Sequence, residues 1–503
     1  MQRRSVQGAK WVAGRCLVLS ILMSATPQAV SDEWKALDYL DRLPLHQGIC
    51  VVVGASQPGL AVELAQPNEL LIYVQSEDAD RVAAVRTAAA EARLLGTRVW
   101  AEQGSNRHLH LADNLADAAI VDPRVWRQDE SVRREVMRVV HPGGQVLAGS
   151  QTVAVPIPDG VDDWSHPYHG PDNNPQSTDA LARAPYLTQF LCEPWYVPMP
   201  QVTVASGGRV FKAFGHIALK RREWRWVNRL VAINGFNGTL LWERPLKPGF
   251  MMHRNTLIAT SDAVYLADDS SCKVLDAEDG ERLREIVIPE TVDADGVWKW
   301  MALQDGVLYA LVGATEPIDT VIRGTRQPAG WPWNGLGSGY EGEYAWGFGR
   351  TLLAMNERTE QILWTYRSSE PIDSRALCMA DGKIFVYSHQ KFLACVNAGT
   401  GKELWRTSDA RLMEAIGEHD RAQTPSKGFS TSAYAKANSV GVYFAGPQRH
   451  RIVAISARDG ALMWDYPDGN FQLVLREDAL YAMGRTQTSK KFDYRTGEIL
   501  ADL

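Results

Sequence analysis

No CxxC, no CxxCH and no adjacent cysteine pair occurs in the 503 residues, which speaks against covalent haem and against structural zinc. Basic charge is not in excess either. The net charge of -6 gives no global electrostatic reason for a nucleic-acid partner, so any cationic patch must be local. Long apolar runs are missing as well: the N-terminal one, Cys16 to Met23, is too short to span a bilayer as a stable anchor. With 45% hydrophobic and 22% charged residues, the remainder reads as globular, and the length suggests two to four domains.

Around that short run stand Arg3, Arg4, Lys10 and Arg15 on one side and small residues ending at Ala29 on the other. A basic flank, a short apolar core and a small-residue exit are the marks of a secretory signal peptide, expected over residues 1–29. The mature chain is then exported, periplasmic or associated with the cell envelope, with no transmembrane segment after cleavage. It keeps Cys50, Cys192, Cys272, Cys378 and Cys395, an odd number that leaves at least one thiol unpaired.

From Gly48, GICVVVGASQPGLAVELAQPNELLIYVQ is followed by an Ala- and Arg-rich helical stretch from Asp80 to Leu95, then TRVWAEQG, NLADAAIVD and EVMRVVHPGG. Buried apolar strands alternating with helices predict an α/β Rossmann-like domain with a parallel sheet over 33–155. This order resembles S-adenosylmethionine-dependent methyltransferases over about residues 35 to 152. The resemblance implies cofactor contacts at Gly54, Gly59, Gln75 and Asp113, and the departures weigh against them. Pro58 removes a donor from the glycine turn, and the second strand ends in the neutral Gln75, where such enzymes place a carboxylate for the ribose; Glu77 and Asp78 lie just beyond. The domain is expected to be degenerate.

From Val202 onward the sequence repeats: AINGFNGTLLW, VLDAEDGERLR, AMNERTEQILW, CVNAGTGKELW, AISARDGALMW and KFDYRTGEILA. Their anchors Asn234, Asp276, Asn356, Asn397, Ser456 and Asp493 lie 37 to 80 residues apart. An apolar strand, a polar turn starter, Thr-Gly or Asp-Gly and a return strand make a hairpin. A second hairpin upstream of each copy completes a four-stranded antiparallel blade. An all-β propeller of six recognisable blades, up to eight with divergent ones, is predicted over 201–503.

The copies resemble the tryptophan-docking repeat of quinoprotein-like (PQQ-like) propellers. That resemblance implies that Trp242, Trp364, Trp405 and Trp464 wedge between blades, and that the interfaces at Arg284 and Ala501 differ. The quinone-dependent dehydrogenases of this class need calcium, a catalytic aspartate and commonly a cysteine pair, and the pair is missing here. No resident cofactor is expected; PQQ with calcium and S-adenosylmethionine stay open as alternatives with the corresponding enzyme activities.

Between the two domains, 156–200 holds DDWSHPYHGPDNNPQSTD. His166 and His169 suggest a metal site, but Pro167 and Pro171 forbid the helix that would align them, and no metal site is predicted. The segment is read instead as a lead-in covering an edge, with Trp164 buried and Asp172, Asn173 and Asn174 bonding local backbone. The repeat register places His253, Arg254, Lys299, Trp300, Asp373, Arg375 and Arg449 around one mouth, beside an aromatic insertion with Trp331 and Trp333. Cations beside rings suit an anionic polymer, a carbohydrate or an envelope protein. No catalytic residue is assigned. The chain is expected to bind or scaffold rather than to catalyse, and closure of the ring is expected to use the segment before Val202 or sequence from a longer parent.

Overall fold

The computed structural model describes residues 36–43, 45–54, 57–195, 198–218, 220–247, 255–268, 270–315, 347–417, 432–446, 449–484 and 489–503. His253, Arg254, Trp331, Trp333 and the signal segment lie outside the described residues.

The N-terminal unit runs α1 (Ala36–Leu40), β1 (Gln47–Val53), α2 (Leu60–Ala65), β2 (Glu69–Ser76), α3 (Ala79–Glu91), β3 (Val99–Gln103), β4 (Ala116–Val121), α4 (Pro123–Gln128), α5 (Glu130–Val139), β5 (Val140–Ala148) and β6 (Gln151–Ala154). Its sheet order is β3-β2-β1-β4-β5-β6, parallel except for the final β5/β6 hairpin. Strand β4 is buried at every position and β1 nearly so, because helices cover both faces of a parallel sheet. The chain order reverses direction between β1 and β4. The crevice beyond their carboxyl ends is where such sheets take ligands.

Six four-stranded antiparallel sheets follow among the described residues, each with its strands in sequence order. Blade I comprises Met199–Ser206, Arg209–Ile217, Arg229–Asn234 and Leu240–Pro245. Blades II to VI begin with the inner strands Leu257–Ala259, Val297–Gln304, Cys378–Ala380, Ala435–Ala437 and Gln472–Leu475. The repeat anchor does one job throughout. Its side-chain oxygen accepts a backbone N–H two residues on, as at Asn234 (2.8 Å), Asp276 (2.7 Å) and Asp493 (2.8 Å), or three on at Asn397 (2.9 Å), and so starts the turn.

Each tryptophan docks as the resemblance implies. The indole N–H of Trp242, Trp364, Trp405 and Trp464 donates to Ala277, Ala398, Ala457 and Tyr494 of the next blade. The ring lies on that blade's turn glycine: a Cβ on Gly280, Gly401 or Gly497 would come within 2.6 Å of it, and on Gly460 within 2.7 Å. Glycine is thus required twice over, by positive φ and by contact with the ring.

Between blades II and III both partners change together. Arg284 replaces the tryptophan and Glu360 (φ 59°) replaces the glycine, and Arg284 pairs with Glu360 at 3.4 Å and with Glu357. Arg284→Trp alone is expected to cost about 1–3 kcal/mol by overpacking, and Glu360→Gly added to it should restore most of the loss. A double-mutant cycle in denaturant checks this coupling; purely additive effects would contradict it.

Blades I to VI are joined by five apolar cores, one at each successive junction, and among the described residues no such core or hydrogen bond joins blade VI to blade I. The two ends differ from the interior blades. Ala501 stands in the tryptophan position of blade VI, paired with Lys491 where the other five blades have the small or apolar Ala232, Val274, Ala354, Cys395 and Ala454. Lys491 pairs with Asp478 (2.8 Å), so this register position is polar in blade VI. On blade I the turn glycine Gly238 meets Phe190 and Cys192 of the preceding segment instead of a tryptophan.

Candidate functional site

Gln75 ends β2 at the crevice and is fully buried. Its Nε2 donates to Ser105 O (2.7 Å) and His108 O (2.8 Å), and its Oε1 accepts from His110 N (3.1 Å) and the Tyr73 hydroxyl (2.9 Å). The neutral amide therefore pins the loop after β3 across the end of the sheet. Glu77 accepts from Asn106 N and the Ser105 hydroxyl of the same loop, and Asp78 caps α3. Gly54 (φ 72°) keeps a left-handed turn, whereas Gly59 is in helical conformation at the start of α2. Asp113 is exposed and paired with Arg138 at 2.5 Å, and Asp122 caps α4. The structure thus brings Gly54 and Gln75 to the crevice but leaves Asp113 bound on the surface. Gln75→Leu should cost about 1–3 kcal/mol by leaving the loop's carbonyls unpaired, read as a lower denaturation midpoint; an unchanged midpoint would contradict the role.

A polar joint that the sequence did not reveal links the two units. Buried Asp117 on β4 accepts from Ile49 N (2.7 Å), from Asn234 Nδ2 (2.6 Å) and from Asn237 Nδ2 (2.8 Å) of blade I, with His141 Nε2 at 3.2 Å. His141 also stacks on Phe236 with ring centroids 4.6 Å apart. A Cβ on Gly48 (φ 132°) would sit 2.6 Å from the Asp117 carboxylate, so glycine opens the space for it.

The lead-in segment bonds locally only in part, with Asp172 Oδ1 accepting from Asn174 N (3.0 Å); beyond that it crosses the end of the propeller channel as a strap tied to every inner strand. Trp164 pairs with Ala205 of blade I, and Ser165 O accepts from Ala259 N of blade II. His166 Nε2 accepts from Leu303 N of blade III at 3.1 Å. Pro171 O and Asp172 O accept from Met379 N and Ala437 N of blades IV and V. Asn173 Nδ2 donates to Leu377 O (2.7 Å) and Ala435 O (3.1 Å), and Asn174 exchanges two bonds of 2.8 Å with Leu475 of blade VI. Lys436 reaches back to Asn173 O (3.0 Å), and burial pushes its ammonium down to about 8. Trp164 is half-buried rather than buried.

Within the strap both histidines are engaged by neighbouring groups. His166 Nδ1 faces the Ser165 hydroxyl at 2.8 Å, which itself donates to His169 O, so the ring donates from Nδ1 and accepts at Nε2. Both nitrogens are spent. His169 Nε2 bonds Asp162 at 2.8 Å. No group of three or more potential ligands gathers among the described residues. Over the strap opens a polar cavity of about 1320 Å³, between turns that carry Gln304, Asp381, Asn438 and Asp478.

At the opposite end of the inner strands, the expected exposed cations are corrected to interior positions. Lys299 is fully buried with Nζ on Ala314 O (2.6 Å), and Trp300 packs in the core between blades III and IV. Asp373 and Arg375 form a buried pair, Nε–Oδ1 2.8 Å and Nη2–Oδ2 2.5 Å, with the Tyr434 hydroxyl on Oδ2 at 2.7 Å. Burial pushes the Asp373 carboxyl up, but the Arg375 charge and these donors outweigh it and hold the group at about 2. Arg449 is buried under Tyr434, 3.9 Å from the ring. Loop position in a repeat does not fix exposure: short loops are covered by the neighbouring blade.

A sequence-family profile described as "Outer membrane protein assembly factor BamB" matches residues 348–493. A search of curated proteins finds no match. Among solved structures, BamB from Moraxella catarrhalis is similar at 13% identity, covering 56% of this chain and 66% of its own, with a TM-score of 0.33. An S-adenosyl-L-methionine-dependent methyltransferase of Methanococcus maripaludis aligns at 24% identity over 22% of this chain and 51% of its own, with a TM-score of 0.21. The computationally designed Ika8 protein aligns at 14% identity over 60% of this chain and 73% of its own, with a TM-score of 0.37. The chain is thus an α/β unit with a mostly parallel sheet followed by a β-propeller of four-stranded antiparallel sheets, of which residues 348–493 match the repeat profile.

Proposed function

We propose that this protein is an exported binding or scaffolding component of the cell envelope, without catalytic chemistry of its own, which presents the propeller to an envelope protein, an anionic polymer or a carbohydrate. The observation that supports the reading is that polar groups at both candidate places are committed within the chain: Gln75 to the loop after β3 at the crevice, and the strap to all six inner strands of the propeller.

Gln75 offers S-adenosylmethionine no free acceptor at the end of β2, since all four of its contacts are already made within the chain. Support for the envelope comes from the leader-like N-terminus and from the repeat profile's description as an outer-membrane assembly factor. Among the described residues no helix is long and apolar enough to cross a membrane.

Native mass spectrometry of protein purified from its own exported fraction tests the reading. A mature mass starting near Val30, without a small-molecule increment, is the expected result. An increment matching a quinone with calcium, or S-adenosylmethionine, would overturn it.

A further inference from the structure

Arg449 opens the stretch that leads to the third strand of blade V and is only 3% exposed. Its Nη1 donates to Ile416 O (2.9 Å) and Gly417 O (3.1 Å), the carbonyls at the end of the helix Ala410–Ile416, which fixes the guanidinium in place. The Tyr434 ring covers it at 3.9 Å. Its Nε and Nη2 are buried and have no hydrogen-bond partner among the described residues. These two atoms share one edge of the planar group, the edge that grips a carboxylate or phosphate with two parallel bonds.

The nearby carboxylate does not serve this edge. Asp373 is held by Arg375 and by the Tyr434 hydroxyl. Among the described residues no acceptor therefore meets this edge, and a buried donor pair without an acceptor is unfavourable. His389 feels the same field: burial pushes its imidazolium down to about 4, with Arg449 and Arg375 adding to that against Asp373.

We propose that the Nε–Nη2 edge of Arg449 is an oxyanion site, where a carboxylate or phosphate group of a ligand docks side-on beside Tyr434 at the junction of blades IV and V. Pre-ordering by two carbonyls and one ring lets the ligand bind without first arranging the arginine. The site goes beyond the scaffold reading and does not depend on it.

The test is a thermal-unfolding titration of the full mature protein with inorganic phosphate and, separately, acetate, each against chloride at matched ionic strength. A saturable rise of Tm by a few degrees (about 2–4 °C) with at least one oxyanion is expected from preferential binding to the folded state. Comparing the two probes distinguishes a phosphate-bearing from a carboxylate-bearing ligand. Arg449→Lys keeps the charge and loses the fork, and Arg449→Met keeps much of the volume; both should abolish the saturable part. Equal responses in wild type and Arg449→Lys, or a chloride response as large as the oxyanion one, would overturn the proposal. If neither variant folds, the wild-type titration still decides: no saturable shift with either probe refutes the site. Failure here leaves the scaffold reading standing, since the native-mass measurement tests that one separately.

Discussion

Replacing Asn173 and Asn174 together by alanine is expected to lower the unfolding free energy by about 4–6 kcal/mol, the largest effect foreseen for a change outside the apolar cores. Asn173 is 5% exposed, and its amide serves two carbonyls 204 and 262 residues away in sequence. Asn174 closes a two-bond ring with Leu475, 301 residues away. Alanine leaves four backbone groups without partners, each worth about 1–3 kcal/mol when buried, and the lower end applies to Asn174, which faces the cavity over the strap. Asn173 also has φ 59°, a left-handed conformation that asparagine tolerates better than alanine. Because the strap ties all six blades, its loss should broaden the denaturation transition as well as shift it. A loss below about 1 kcal/mol with an unchanged slope would show that the strap is a passenger.

How much of this was readable beforehand depended on where the signal lay. The blades were legible because each repeats a local device: a turn starter, a glycine at positive φ and a tryptophan that lands on that glycine one blade earlier. Even the exception was visible as Arg284, although its partner Glu360 emerged only when the two were placed face to face. The strap was not legible, because its partners are backbone carbonyls and amides of distant strands, which carry no side-chain signature. The same holds for Gln75. Its neutrality was noticed, but its commitment to Ser105 and His108 is a matter of loop path. Nothing in the sequence singles out Asp117, because its partners Asn234 and Asn237 come from a distant repeat turn. The cations at Lys299, Arg375 and Arg449 were assigned to the correct ends of strands and to the wrong environment. Lys299 and Arg449 bond carbonyls of other segments, and Arg375, although paired with Asp373 two residues away, is covered by Tyr434 from the next blade.

Acid should destabilise the protein well before its carboxylates titrate, and His166 is a main reason. Burial pushes this imidazole from its ordinary value of 6.5 down to about 3, with the nearby His169 adding to the effect. The unfolded chain takes up a proton near pH 6.5 and the folded one refuses it. The stabilisation is fully present above pH 6.5 and is lost as pH falls toward 3, by up to about 1.4 kcal/mol per pH unit, or about 2–3 kcal/mol by pH 4.5. Geometry gives the same sign, because a proton on Nε2 would displace the Leu303 N–H and break the tie to blade III. His389, depressed to about 4, contributes in the same direction over a similar range. Asp162 lies outside this window: burial opposes it, but the Thr178 amide, His169 and the Ser177 hydroxyl hold its carboxyl at about 2, so its contribution fades only below about pH 4. His166→Gln retains an acceptor for Leu303 without the titration. Denaturant unfolding at a series of pH values should show its slope between pH 6 and 4.5 shallower than wild type by about 1 kcal/mol per pH unit, with the remainder belonging largely to His389. An identical slope in the two proteins would mean that His166 is already protonated in the fold, and the strap would then have to be held to blade III by something other than the Leu303 amide.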